Sequence, residues 1–416
     1  MLRKTCQKRL VARGAPVLQN GCSHVSSQSI AIKAQARQRY LLVLLFAGFT
    51  LTGIEITVAG PMLPIFISRW SLTDSRAGIF LTLEFACSLG GVWLSSLISH
   101  YFGNRTSLVL GYLVIGGGLA TLNSTSMTVA QIALAALGTG YGLVVPITNL
   151  AVAEIGGARS ASLVSLVNFA WGVGSFACPP LVLFALKNAS LTKMLYLFAG
   201  FGFLLAVSFL FSQFPHSHTA AGSESPSPAT GVSLLATSSL AALFLLYVAT
   251  ETSFGSWAAA HVKRLAISGS GIWTLAPMFF YGGLMAGRAV APFVLHRVRE
   301  YRLVMGALVV VIISGAFFVL ADTQAIAFVS VTVTGLGCAT IFPIYVAWLS
   351  RWYGAGATRI RGVMFSMSSI GSSTAPGLVG IVSTHAGGLR IGLLVPLFCT
   401  VAMIFLLLLI RRQAAV

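Results

Sequence analysis

Gly138-Thr139-Gly140-Tyr141-Gly142-Leu143-Val144-Val145-Pro146 occurs once in the first half of the chain, and its pattern returns in the second as Gly335-Leu336-Gly337-Cys338-Ala339-Thr340-Ile341-Phe342-Pro343. Each is a G-x-G with five residues between its second glycine and a proline, and a charged residue (Glu154, Arg351) lies eight beyond each proline. Other positions follow suit: Gly174 stands five residues before Pro179 and Gly371 five before Pro376, while Gly90 and Gly287 each lie six after Glu84 and Tyr281. Glu55 and Glu251 are glutamates in corresponding apolar stretches of the two halves. A Gly-rich composition would explain the glycines but not their matched spacings. Small residues let helices approach closely inside a membrane, and intramembrane prolines bend helices and free carbonyls. An internal repeat of this kind predicts two halves of equivalent backbone.

Outward from these motifs the chain is a series of apolar runs. A spanning helix needs about 20 mostly apolar residues. Twelve runs qualify, near 41–67, 77–98, 106–123, 128–152, 160–185, 193–212, 233–258, 271–294, 302–321, 325–349, 362–384 and 389–410. Their length and lack of strict alternation indicate helices rather than barrel strands. The longest polar interruption, 213–232 (QFPHSHTAAGSESPSPATGV), has the Ser, Pro, Ala and Gly content of a linker. The expected organisation is a basic, disordered tail over 1–40, a six-helix bundle over 41–212, the linker, a second six-helix bundle over 233–410 and a short tail over 411–416. The fold class is an all-α membrane protein with twelve transmembrane helices in two pseudo-symmetric bundles.

Composition agrees. The chain is 56% hydrophobic and 8% charged, with mean hydropathy +0.90, whereas a soluble domain carries roughly a quarter charged residues. Its 26 basic residues against 8 acidic ones would suit nucleic acid only if they clustered on a polar face with aromatics among them. They fall between apolar runs instead, so nucleic acid is excluded and the lipid bilayer is the partner. Eighteen lie on the side bearing both termini (eight of them in the first 40 residues), seven lie on the other, and Arg288 falls inside a span. The positive-inside rule then places both termini in the cytoplasm of a cell (inner or plasma) membrane. The six cysteines (Cys6, Cys22, Cys87, Cys178, Cys338, Cys399) show neither metal-site spacing nor a disulfide framework. Cofactors are not expected, and neither a phosphate-binding loop nor a nucleophile–base constellation supports an enzyme.

Charged groups at bilayer depth cost about 2.5–3.5 kcal/mol each and therefore need a reason. Glu55, between Gly53 and Pro61, reads as a proton- or cation-coupling carboxylate that loads from one side of the membrane and releases to the other, or else as a structural carboxylate bonded to a neighbouring helix. Glu84 is a weaker coupling candidate without a matching acid in the repeat. Glu251 shares a helical face with Tyr247 and Gly255. It reads as an acceptor for substrate hydroxyls or as a partner for Arg288. A sugar offers a polar rim and an apolar face, so a sugar pocket pairs amides and carboxylates with flat aromatic surfaces. Asn149, Asn168, Trp171, Trp257, Tyr281 and Tyr345 supply both. Trp171 and Trp257 also suit lipid-interface anchoring.

At these residues the chain resembles the major facilitator superfamily over 41–410, and within it the fucose-permease-like sugar symporters. Tyr247-x3-Glu251-x3-Gly255-x-Trp257 resembles that group's Y-x3-E-x3-G-x-W pattern. Gly287-Arg288 resembles its Gly-Arg pair, and Gly138-x-Gly140 followed by Asn149 its G-x-G-x8-N spacing. The resemblance implies the twelve-helix carrier fold, and it implies gating at the end of span two, where Gly103 and Arg105 match the superfamily's G-x3-D-R-x-G-R-R loop. His100 stands where that loop has its acid, and Val145 stands where the proton-coupled fucose carriers have an acid in span four. Arg288 is assigned to gating at the other half's matching end. The function expected is alternating-access transport of a small polar solute, a monosaccharide, coupled to protons or sodium by a monomer. The rivals are efflux of amphipathic drug-like or lipid compounds and a non-transporting receptor or accessory subunit.

Overall fold

The computed structural model describes residues 19–212, 214, 233–265, 271–353 and 357–411. The described chain is helical throughout its elements. The first half holds α1 (Gln19–Trp70), α2 (Asp74–Phe102), α3 (Asn104–Thr121), α4 (Met127–Gly156), α5 (Ser160–Lys187) and α6 (Leu191–Leu210). The second holds α7 (Leu234–Arg264), α8 (Ala276–Leu295), α9 (Glu300–Leu320), α10 (Gln324–Cys338), α11 (Ile341–Tyr353), α12 (Ala357–Ala386), α13 (Leu389–Gly392) and α14 (Leu394–Leu409). Spans one to nine are α1 to α9, span ten is α10 with α11, span eleven is α12, and span twelve is α13 with α14. The fold is the expected all-α membrane bundle of two pseudo-symmetric halves.

Ten helices among the described residues are long and apolar enough to cross a membrane by length and composition. The other two of the twelve, α3 and α12, are richer in polar residues. In α12 the hydroxyls of Ser368, Ser369, Ser372, Ser373 and Thr374 bond back to carbonyls of their own helix. Satisfied in this way, they sit in an apolar setting at low cost.

Proline chemistry explains where spans break. A proline removes a donor and its ring crowds the carbonyl four residues earlier. Pro343 acts on Ala339, where α10 gives way to α11, and Pro396 acts on Gly392, where α13 gives way to α14. Pro146 holds the position matching Pro343, yet α4 continues through it. The segment expected as a disordered tail over 1–40 is helical from Gln19 onward, continuous with α1. The linker at 213–232, apart from Phe214, lies outside the described residues, as does the chain end beyond Arg411.

The glycines that carry the repeat are contact points between helices. A Cβ on Gly138 would sit 1.8 Å from the Glu84 carbonyl oxygen, and one on Gly335 2.0 Å from that of Phe280. Backbone touches backbone at matched places, α4 on α2 and α10 on α8. The match corrects the register read from sequence. Gly91, packed on the Thr139 carbonyl, corresponds to Gly287, packed on that of Leu336, whereas Gly90 has open space around it. Likewise Gly174 abuts Thr50 and Ile54, and Gly371 abuts Leu245 and Ala249. That register pairs Glu55 with Thr250 rather than with Glu251. One residue is about 100° around a helix, so the two glutamates point differently.

Candidate functional site

The halves meet at the face opposite the termini, here the distal face. There α2 crosses α12 so closely that a Cβ on Gly78 would lie 3.1 Å from the Gly377 Cα. Arg264, at the end of α7, forms an ion pair with Asp74 at the start of α2, and the Ser383 hydroxyl of α12 donates to the same carboxylate. The Ser75 amide donates to Thr384 Oγ1 at 2.8 Å. Lys263 Nζ donates to the Pro64 carbonyl at 2.9 Å and to Ser68 Oγ at 2.6 Å. Toward the termini face the helices diverge. Ser96, five turns along the α2 face that carries Gly78, is exposed, and so is Val363 near the far end of α12. The cleft between the halves opens on the termini face.

At mid-depth, Trp171 of α5 and Tyr281 of α8 meet edge to face across the cleft, with ring centres 6.4 Å apart. Tyr281 can lie there because Gly255 of α7 has no side chain: a Cβ would come 2.8 Å from the phenol oxygen. Two acids, Glu84 and Glu251, lie within electrostatic reach of Tyr281, and a third, Glu55, lies within reach of Glu84. Glu55 and Glu84 are fully buried, lie within electrostatic reach of one another, and have no hydrogen-bond partner among the described residues on either carboxyl oxygen. Glu251 is half-buried beside the Tyr247 hydroxyl. Glu55 and Glu84 are therefore enclosed in the first half, while Glu251 borders the cleft from the second.

Asn149 and Asn168 form a pair, with the Asn168 amide donating to Asn149 Oδ1 at 2.9 Å. Each also donates to its own helix, to the Val145 and Val164 carbonyls. Asn168 is exposed and lies three residues from Trp171, so the amides border the cleft on its termini side. Arg288 is exposed two turns beyond Tyr281 on α8 and within electrostatic reach of Tyr247, Tyr281 and Cys338.

Three aromatic candidates belong to the interior of the second half rather than to the open cleft. Trp257 is fully buried and its indole N–H donates to the Pro376 carbonyl at 3.0 Å, tying α7 to α12. Tyr345 is fully buried beside Tyr247 and Trp348, with its hydroxyl 3.8 Å from Met403 Sδ. Tyr247 is 1% exposed, and its hydroxyl is engaged by the Cys338 carbonyl at 3.0 Å. Their polar atoms are already satisfied inside the bundle. His100 is exposed and packs on the edge of Tyr101. Arg105 donates to the Leu210 carbonyl at 3.3 Å, at the end of α6. Neither makes a contact here that joins the halves.

Two groups of residues escaped the sequence reading. Asp74, Lys263, Arg264 and Ser383 lie near span ends, where charge looked like topology alone. Tyr141 lies inside the repeat motif itself, within electrostatic reach of Glu55, Glu84, Glu251 and Tyr281. The clue was a tyrosine among glycines that all face neighbouring backbones.

Comparisons with known proteins agree with this architecture. Residues 45–332 match the family profile described as Major Facilitator Superfamily. A search of curated protein sequences finds no match. Among solved structures, a variant of the nucleoside transporter NupG superposes with TM-score 0.70 at 15% identity, covering 91% of this chain and 99% of that one. A bacterial homolog of the human lysosomal transporter Spinster gives 0.71 at 14%, covering 90% and 97%. The E. coli fucose:proton symporter FucP, also as a variant, gives 0.57 at 14%, covering 89% and 98%. At such identities the likeness is one of fold. With a family match over most of its length and the two-bundle architecture in place, this chain belongs to the Major Facilitator Superfamily of membrane transporters.

Proposed function

We propose that this transporter moves a small hydroxyl-rich solute, a monosaccharide, by alternating access coupled to a proton or sodium gradient. One observation carries the reading: exposed amide, flat aromatic surface and half-buried carboxylate (Asn168, Trp171 with Tyr281, Glu251) converge on one cleft between the halves. Sugar hydroxyls need such paired donors and acceptors, and the apolar sugar face needs a ring to lie on. FucP, a structural neighbour, is described as a fucose:proton symporter. Glu55 and Glu84, enclosed and unpartnered, serve as the coupling carboxylates. With both termini in the cytoplasm, as the basic residues place them, this conformation opens inward.

The test is a thermal-shift screen of the detergent-purified protein against monosaccharides, nucleosides, lipophilic cations and sodium, followed by exchange in liposomes. A ligand at a hundred times its dissociation constant stabilises the folded state by about 2.7 kcal/mol. Stabilisation by one monosaccharide that disappears in Asn168→Ala is the expected result. Stabilisation by lipophilic cations alone would replace the sugar reading with efflux of amphipathic compounds.

A further inference from the structure

The first half encloses two carboxyl groups that form no ion pair among the described residues. Both oxygens of Glu55 and both of Glu84 lack hydrogen-bond partners among those residues, and neither side chain is exposed. An isolated buried charge costs far more than a buried neutral acid. Whatever lies next to these groups decides how their protonation is felt elsewhere.

Tyr141, one turn beyond the Gly138 contact with the Glu84 backbone, lies within electrostatic reach of both. Its place is fixed by its neighbours: Gly138 rests on the Glu84 carbonyl, Gly142 on that of Ser88, and Gly140 against Ile115 and the Gly111 carbonyl. With α4 held so close to α2 and α3, the tyrosine is directed toward the space between the halves. It is only partly buried. On the cleft side it has Glu251 and Tyr281 within electrostatic reach; on the inner side, Glu55 and Glu84. Trp171 lies beside it, its buried indole N–H facing the phenol oxygen as a donor. The titratable groups within electrostatic reach of it are Glu55 on α1, Glu84 on α2, Glu251 on α7 and Tyr281 on α8; behind them Tyr112 on α3 faces Glu55 and Arg288 on α8 faces Tyr281, while α5 contributes Trp171, which does not titrate. The matching position in the second half is Cys338, so the repeat does not duplicate this device.

We propose that Tyr141 is the positioning residue that couples the buried acid pair to the substrate cleft, by donating its one phenolic hydrogen bond to one side or the other. A phenol has a single O–H to donate. When Glu55 or Glu84 is ionised, the carboxylate is the stronger acceptor and the phenol turns inward. When both acids hold their protons, the phenol is released to the cleft, where a substrate hydroxyl or Glu251 accepts it. Protonation and substrate binding then favour one another, by an equal factor in each direction. No covalent step is involved. The inference deepens the carrier reading and rests on it for the identity of the cleft.

The first test needs no substrate. The pH titration of tryptophan fluorescence, taken as wild type minus Trp171→Phe, reports the surroundings of Trp171. A step is expected in the wild-type background, and it is expected to vanish in Tyr141→Phe and in the double variant Glu55→Gln/Glu84→Gln, each checked for an intact melting transition. Where the double variant fails to fold, the single variants Glu55→Gln and Glu84→Gln are expected each to shift the midpoint of the step. A step that persists in Tyr141→Phe, or no step in wild type, overturns the proposal. The second test measures D-glucose and L-fucose exchange in liposomes at two pH values. The wild-type ratio of apparent affinities is expected to exceed about fivefold and to fall to within about twofold in Tyr141→Phe, as loss of a coupling free energy requires. Exchange with an unchanged ratio sinks the coupling role. Absence of any sugar exchange, with the fluorescence step behaving as expected, counts against the sugar assignment and leaves the coupling role supported.

Discussion

Replacing Glu55 by glutamine keeps the side chain's shape but removes its ability to carry a proton. Glu55→Gln is expected to abolish gradient-driven accumulation while leaving solute exchange within about twofold of wild type, because only the ion-dependent half of the cycle is lost. Accumulation at the wild-type level would exclude the coupling role. Asn168→Ala removes one amide of a hydrogen-bonded pair at the cleft and leaves Asn149 without its neighbour. The expected loss in solute affinity is about tenfold, in keeping with one to two hydrogen bonds, measured by thermal shift or equilibrium binding. Wild-type affinity would exclude Asn168 from the binding site. Trp257 and Tyr345 belong to a different class, since their polar atoms are used within the second half. Their sequence positions beside Glu251 and in span ten made them plausible cleft residues; helix rotation decided otherwise.

Among the helices, the repeat is a packing device. The Gly138 and Gly335 contacts bring α4 onto α2 and α10 onto α8 with carbonyl oxygens where a Cβ would stand. Gly138→Ala and Gly335→Ala should each destabilise the fold by about 1–3 kcal/mol through overpacking, visible as a lowered melting temperature in detergent. Gly90→Ala, with open space at its Cβ, is the control and should leave the transition unchanged. A similar melting temperature for all three variants would mean that these close approaches relax freely. The same contacts reveal why Glu55 and Glu251 behave differently. Spans one and seven are equivalent in backbone but offset by one residue in their acids, so one glutamate is enclosed and the other borders the cleft.

On the scale of the whole molecule, the conformation is held by the distal face. Asp74 joins α2 to α7 through Arg264 and to α12 through Ser383, and Lys263 fastens α7 to α1. These contacts must part if the cleft is to open on the other side. Asp74→Asn is expected to shift the ratio of the two states toward distal opening by about tenfold, equivalent to about 1.4 kcal/mol. Distances between spin labels at the distal ends of α1 and α7 would measure it. An unchanged distance distribution would mean that helix packing at Gly78 and Gly377 alone holds the halves together.

The sequence by itself determined the solvent, the twelve spans, the two halves and the small residues at which helices touch. Hydropathy and matched spacing are local to the chain, and a bilayer turns them directly into helices of fixed length. Acids at bilayer depth were equally legible, because their cost in lipid singles them out wherever they point. What only the tertiary structure decided was direction. A side chain turns by about 100° with each residue, so a repeat aligned one position out still finds the helices but assigns the wrong face. That offset separated Gly90 from Gly91 and Glu55 from Glu251. The structure also brought Tyr141 between acids from three helices and joined Asp74 to Arg264 across the halves, since both arrangements depend on how separate helices pack.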